Sequence, residues 1–129
     1  MAKKKIFPVK AGIEVKLTEE DIDDIMTSAL EGGITYWASQ AEVVGKYLKE
    51  YGSEQIARGG SLIIYDNESD DKWELTRDKF LNGVKLLLQN GDDKYGAFKN
   101  PEEVDCCEID GEVADWIIQY ALFGEVVFG

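Results

Sequence analysis

Ser61-Leu62-Ile63-Ile64-Tyr65-Asp66-Asn67-Glu68-Ser69-Asp70-Asp71-Lys72-Trp73-Glu74-Leu75-Thr76 is the stretch that decides the fold class. Two runs of β-branched, aliphatic and aromatic residues flank a polar hexad. The runs suit extended backbone, and Asp, Asn and Ser between them favour a turn through local hydrogen bonds. An antiparallel hairpin is expected over residues 61–76. Thr76 or Asp78 then caps a helix over 77–90, whose Phe80, Leu81, Val84, Leu87 and Leu88 share one face and which Gly91 ends. A hairpin feeding an amphipathic helix points to an α+β domain.

The same logic extends in both directions. Upstream, Ile13–Leu17 alternates as a short strand. Thr18 and Asp21 form a near capping box for a helix over 18–31, with Ile22, Ile25, Met26, Ala29 and Leu30 as its stripe and Gly32-Gly33 as its stop. Ile34–Ala38 is expected as a strand. Residues 42–51 are ambiguous, since Val43, Val44, Tyr47 and Leu48 fit helical spacing but Gly52 weakens it. Downstream, 91–101 is expected as a loop and 110–122 as a third helix with Val113, Trp116, Ile117, Tyr120 and Ala121 inward. Residues 125–128 add a last strand.

The expected architecture is a small antiparallel or mixed β-sheet with about three amphipathic helices packed on it. Residues 1–12 are expected as a basic N-terminal tail and 13–129 as a single α+β domain. The expected core includes Ile22, Ile25, Met26, Leu30, Trp37, Ile63, Leu75, Phe80, Val84, Leu87, Trp116, Ile117 and Tyr120.

Charge narrows the function. The 129 residues hold 14 Lys and Arg, 26 Asp and Glu and no His, for a net charge of -12. Residues 1–16 carry a net +4, and 100–129 carry eight acids and no base. Without His, a Ser-His-Asp triad, a Cys-His dyad and every His-containing zinc site are excluded. Two cysteines build neither a disulfide framework nor a four-cysteine zinc site. At this charge, direct nucleic-acid binding would need a segregated basic face.

No apolar run approaches the ~20 residues of a membrane span. Pro8, Lys10, Glu14 and Lys16 interrupt any signal-peptide core, so an intracellular protein is expected. Adjacent Cys106 and Cys107 are read as free thiols. Seven surrounding acids, from Glu102 to Asp115, suppress their thiolates. The acids of residues 66–71 fail as a calcium loop, with Asp71 where Gly is required and Arg77 where Glu is required. Neither metal nor cofactor is expected.

Two stretches carry a resemblance. One is Glu31-Gly32-Gly33-Ile34-Thr35-Tyr36-Trp37 after an acidic amphipathic helix. The other is Ala114-Asp115-Trp116-Ile117-Ile118-Gln119-Tyr120-Ala121-Leu122-Phe123-Gly124-Glu125-Val126-Val127-Phe128-Gly129. With Arg58-Gly59-Gly60 and the hairpin that follows, they resemble small acidic proteins of phages and prophages of Gram-positive bacteria. The likeness spans residues 15–129. It implies an accessory factor that acts on host proteins in the bacterial cytoplasm, including inhibitors of host defence.

The expected function is accordingly a non-enzymatic, anti-CRISPR-like inhibitor. Its acids would occupy the basic nucleic-acid-binding surface of a host nuclease effector. Helical acids three or four positions apart are about 5–6 Å apart, comparable to phosphates along a strand. The candidate partner-binding residues are Glu102, Glu103, Asp105, Glu108, Glu112 and Asp115. Of these, Glu108, Glu112 and Asp115 are expected on the solvent side of the third helix. Two alternatives stay open. One is a sponge for a nucleotide immune signal built from Arg58, Arg77 and Trp37, and the other is a phage structural or assembly protein. The oligomeric state is left open.

Overall fold

The computed structural model describes residues 5–10, 14–93, 96–98, 104–105 and 109–129. Its elements are β1 (Ile6–Lys10), β2 (Glu14–Thr18), α1 (Glu19–Ser28), β3 (Ala38–Val43), β4 (Leu62–Asp66), β5 (Lys72–Leu75), α2 (Arg77–Gln89) and α3 (Gly111–Phe123). The protein is α+β. β1 and β2 pair as one antiparallel ribbon, and β3-β4-β5 form a second antiparallel sheet in that order.

The hairpin forms where its residues dictate. Leu62 lies opposite Leu75 and Ile64 opposite Trp73. The two-residue alternation sends Leu62, Ile64 and Leu75 into the core and leaves Ile63 half-buried. In the turn, Asp66 Oδ1 accepts the Glu68 N–H at 2.8 Å and Asp66 Oδ2 accepts the Ser69 hydroxyl at 3.0 Å. The helix starts follow their caps. Thr18 Oγ1 accepts from Asp21 N at 3.1 Å while Asp21 Oδ2 accepts from Thr18 N at 2.9 Å, a complete capping box. Thr76 caps α2 and Asp110 caps α3.

Three segments depart from the sequence expectation, and a fourth, ambiguous in sequence, takes a definite form. Residues 6–10, inside the expected tail, pair with β2, with Val9 opposite Val15. Phe7 and Val9 turn inward while Ile6, Pro8 and Lys10 stay outside, a period-two pattern that the flanking lysines obscure. The strand expected at 34–38 starts only at Ala38. Before it, α1 widens into a π-helical turn, Ala29–Gly33, followed by a turn in which Trp37 N bonds Ile34 O at 3.1 Å. Ile34 and Trp37 are both buried. In a strand their odd spacing would send them to opposite faces, so a turn is the arrangement that buries both. Residues 44–51 are an irregular loop without a helix. Residues 125–128 form no strand, and their backbone is held by a side chain described below.

α3 is the centre of the molecule. Val113, Ala114, Ile117, Ile118, Tyr120 and Ala121 are all buried, as is most of the α2 stripe that packs on it. The two helices meet at Gly83, where an added Cβ would stand 2.4 Å from Ile117 O. At the other end, a Cβ on Gly33 would stand 2.5 Å from Gly111 O, so the π turn rests directly on the first turn of α3. Of the expected core, Leu30, Ile63 and Trp116 are half-buried, and Leu30 and Trp116 pack against its rim.

Candidate functional site

Two long stretches of this chain contain acids and no base. Residues 17–45 hold seven acids, and 100–129 hold eight. They touch where Gly33 meets Gly111, at the start of α3. Exposed acids come from both: Glu20, Asp24 and Glu31 from α1 and its π turn, and Asp110, Glu112 and Glu125 from α3 and its flanks. Glu20 and Asp24 share one face of α1, and Glu31 follows on the π turn. The crowding shows at Asp24, whose carboxyl is held above its ordinary value by desolvation and then by the charges of Glu20, Asp21 and Asp23.

The candidate acids predicted from sequence divide. Glu102, Glu103 and Glu108 lie outside the described residues, as do Cys106 and Cys107. Asp105 and Glu112 are exposed. Asp115 is not on the surface. It is 2% exposed, and this corrects the expectation that it lies on the solvent side of α3. Trp37 Nε1 donates to Asp115 Oδ1 at 2.7 Å, and Gln119 Nε2 donates to the same oxygen at 3.0 Å. The Tyr36 hydroxyl donates to Asp115 Oδ2 at 2.6 Å. The correction arises because α3 is buried on two sides. A second packed face lies outside the single stripe read from its sequence.

Gln119, fully buried, extends this network to the C-terminal segment. Its Oε1 accepts the N–H groups of Val127 and Phe128, both at 2.8 Å, and its Nε2 reaches Phe128 O at 3.2 Å. One side chain thus pairs with backbone as a neighbouring strand would. Phe128 then stacks on Trp37, with ring centroids 4.8 Å apart and planes 5° apart, and Phe123 and Trp73 close the aromatic cluster. Burial, the Asp115 hydrogen bond and the Asp115 charge together push Tyr36 up to about 12. Sequence reasoning missed Tyr36, Gln119 and Phe128. A signal existed: across residues 113–123, Asp115 and Gln119 are the only charged or amide side chains, and they stand four apart on one helix face.

The alternative ligand residues are each engaged within the fold, although the Arg77 guanidinium lies against Ala57 and Gly59, on either side of Arg58 in the chain. Arg58 donates to Asp23 Oδ1 and Oδ2 at 2.9 and 3.1 Å and to Glu54 O at 2.7 Å. The Asp23 bond raises its already high pKa. Arg77 donates to Ala57 O at 3.2 Å and lies over the Phe7 ring at 5.0 Å. Trp37 is buried, with its N–H on Asp115 and a ring face under Phe128.

Beside Glu112 lies a cleft of about 620 Å³, walled by Tyr36, Trp116, Val126 and Phe128, with Glu112 and Asp115 and no Lys or Arg among its described lining residues. Aromatic faces beside carboxylates suit a cationic group such as a lysine or arginine side chain. Among the described residues, no group of three or more His, Cys, Asp or Glu is arranged to hold a metal ion, and no helix is long and apolar enough to cross a membrane. No family model, curated protein or solved structure matches the chain.

Proposed function

We propose that this protein is a non-enzymatic inhibitor that binds the basic, nucleic-acid-binding surface of another protein. The observation that carries this reading is the pairing of two base-free segments across the Gly33–Gly111 contact. Both segments carry exposed acids, Glu20, Asp24 and Glu31 on the first and Glu112 on the second. Asp24 is held above its ordinary value by desolvation and then by its α1 neighbours Glu20, Asp21 and Asp23, and a basic partner would relieve that repulsion within α1. The cleft between Tyr36, Trp116 and Phe128 would receive a basic side chain of the partner beside Glu112. In the setting implied by the phage resemblance, the partner is a nuclease effector of host defence in the bacterial cytoplasm. The nucleotide-sponge alternative loses support, because Arg58 and Arg77 are engaged by Asp23, Glu54 O and Ala57 O.

The test is capture from a bacterial host lysate at low salt, followed by competition with duplex DNA and structured RNA. The proposal expects a nucleic-acid-binding protein that is displaced by nucleic acid. It also expects the Asp24→Lys/Glu31→Lys/Glu112→Lys variant to capture none. Equal capture by a folded triple variant contradicts the proposal.

A further inference from the structure

The loop that follows β3 is built unlike the rest of the surface. Val44, Tyr47, Leu48 and Tyr51 are 44%, 60%, 52% and 60% exposed. They are half of the large hydrophobic side chains exposed among the described residues, gathered within eight positions. Their backbone is nevertheless fixed. Gln55, fully buried, accepts the Leu48 N–H at 2.6 Å and donates to Tyr51 O at 2.6 Å. Glu54 accepts the Tyr51 N–H at 2.8 Å and pairs with Lys49 at 3.4 Å. A buried amide therefore orders a loop whose apolar side chains stay about half exposed, with Leu48 against Gly60 and Tyr51 lining a cleft with Thr27 and Leu30. A preorganised apolar loop of this kind loses little conformational entropy on binding, and tyrosine is enriched at interface centres.

We propose that this loop is a self-association surface through which two copies of the chain meet about a twofold axis. Charge selects the occupant. Two copies at -12 repel over most of their surfaces. Within the loop the charges balance locally, with Lys49 paired to Glu54 and exposed Lys46 and Glu50 on either side of Tyr47 and Leu48. In a twofold contact the same patch faces itself, so Lys46 of one copy can oppose Glu50 of the other. Stable interfaces use roughly 20–30 residues a side. A contact centred on one loop is smaller, so the dimer is reversible and forms at high concentration. Salt strengthens it by screening the repulsion between the two acidic bodies. That sign is opposite to the one expected for a basic partner, so this proposal and the proposed function fail independently.

The experiment is sedimentation equilibrium of the full chain from micromolar to near-millimolar concentration, at low and high salt. The expected result is a mass that rises toward the dimer with concentration, and more so in high salt. Tyr47→Ser/Tyr51→Ser should stay monomeric with an unchanged circular dichroism spectrum. Lys46→Glu should weaken association at least several-fold, and Lys46→Glu/Glu50→Lys should restore it. A wild-type protein that is monomeric throughout the high-salt series overturns the proposal. So does dimerisation of the folded double-tyrosine variant at wild-type strength. If the wild type is monomeric and the tyrosine variant instead loses a captured basic protein, the loop belongs to that partner and not to a second copy.

Discussion

Trp37 and Asp115, 78 positions apart, are joined by an indole N–H to carboxylate hydrogen bond of 2.7 Å that ties the turn before β3 to the middle of α3. The bond decides how the acids of the C-terminal third are to be understood. Asp115 accepts three hydrogen bonds from Trp37, Gln119 and Tyr36, and its place is structural. Glu112, one turn earlier, faces solvent.

The two positions should therefore respond oppositely to charge reversal. Asp115→Lys puts an ammonium against three donors in a buried site, and breaking such a network costs on the order of 3–5 kcal/mol. Glu112→Lys is a surface change expected within about 0.5 kcal/mol of wild type. Urea denaturation of both variants checks this, and equal stabilities would contradict the buried placement of Asp115.

Gly83→Ala tests the central helix packing. The substitution favours helix by about 1 kcal/mol in isolation. Here the new methyl would meet Ile117 O and Ala121 within 3 Å, which forces α2 and α3 apart. Overpacking of this kind costs about 1–3 kcal/mol, so the net effect should be a lowered melting temperature. A raised melting temperature would show that the helices do not cross at this residue.

How far the sequence could be read depended on how local the deciding interaction was. The hairpin over 61–76, the capping box of Thr18 and Asp21 and the stripes of α1 and α2 rest on neighbours in the chain, and each lies where its residues place it. The turn at Ile34–Trp37 did not read as a turn, because its reason is the burial of both side chains against elements far along the chain. Gln119 makes the same point at the candidate site. Nothing near residues 125–128 announces that a side-chain amide, and not a strand, will pair with their backbone. The acidic bias was legible throughout. The contact between the two base-free segments was not, since that depends on Gly33 meeting Gly111.

Alkaline pH should destabilise the protein through Tyr36 and Tyr120. Both are pushed up to about 12 from an ordinary value of 10.0, chiefly by burial and then by hydrogen bonds to Asp115 and Asp92. The folded state holds these protons more tightly than the unfolded state. Their contribution is complete below pH 10 and is lost as pH rises through about 12. Melting temperatures measured across that window should fall, and the fall should be shallower in Tyr36→Phe. A Tyr36→Phe slope equal to wild type would remove Tyr36 from this linkage.

Asp24→Asn should raise stability slightly at neutral pH and low salt. Its carboxyl is held above the ordinary value, so the charged form is disfavoured in the folded state at every pH above that range. Removing the charge lifts its desolvation cost and then the repulsion from Glu20, Asp21 and Asp23. The repulsive part of the gain should shrink in high salt as the field is screened. A gain independent of salt would leave desolvation as its whole cause and remove the repulsion.

The proposed function is tested most directly by the salt dependence of binding to the captured nucleic-acid-binding partner, measured by association and dissociation rates. For the wild type, affinity should fall steeply as salt rises, mainly through the association rate. For folded Asp24→Lys/Glu31→Lys/Glu112→Lys, binding should be weak at low salt and nearly flat with salt. A triple variant that associates at the wild-type rate with the wild-type salt slope would contradict the account.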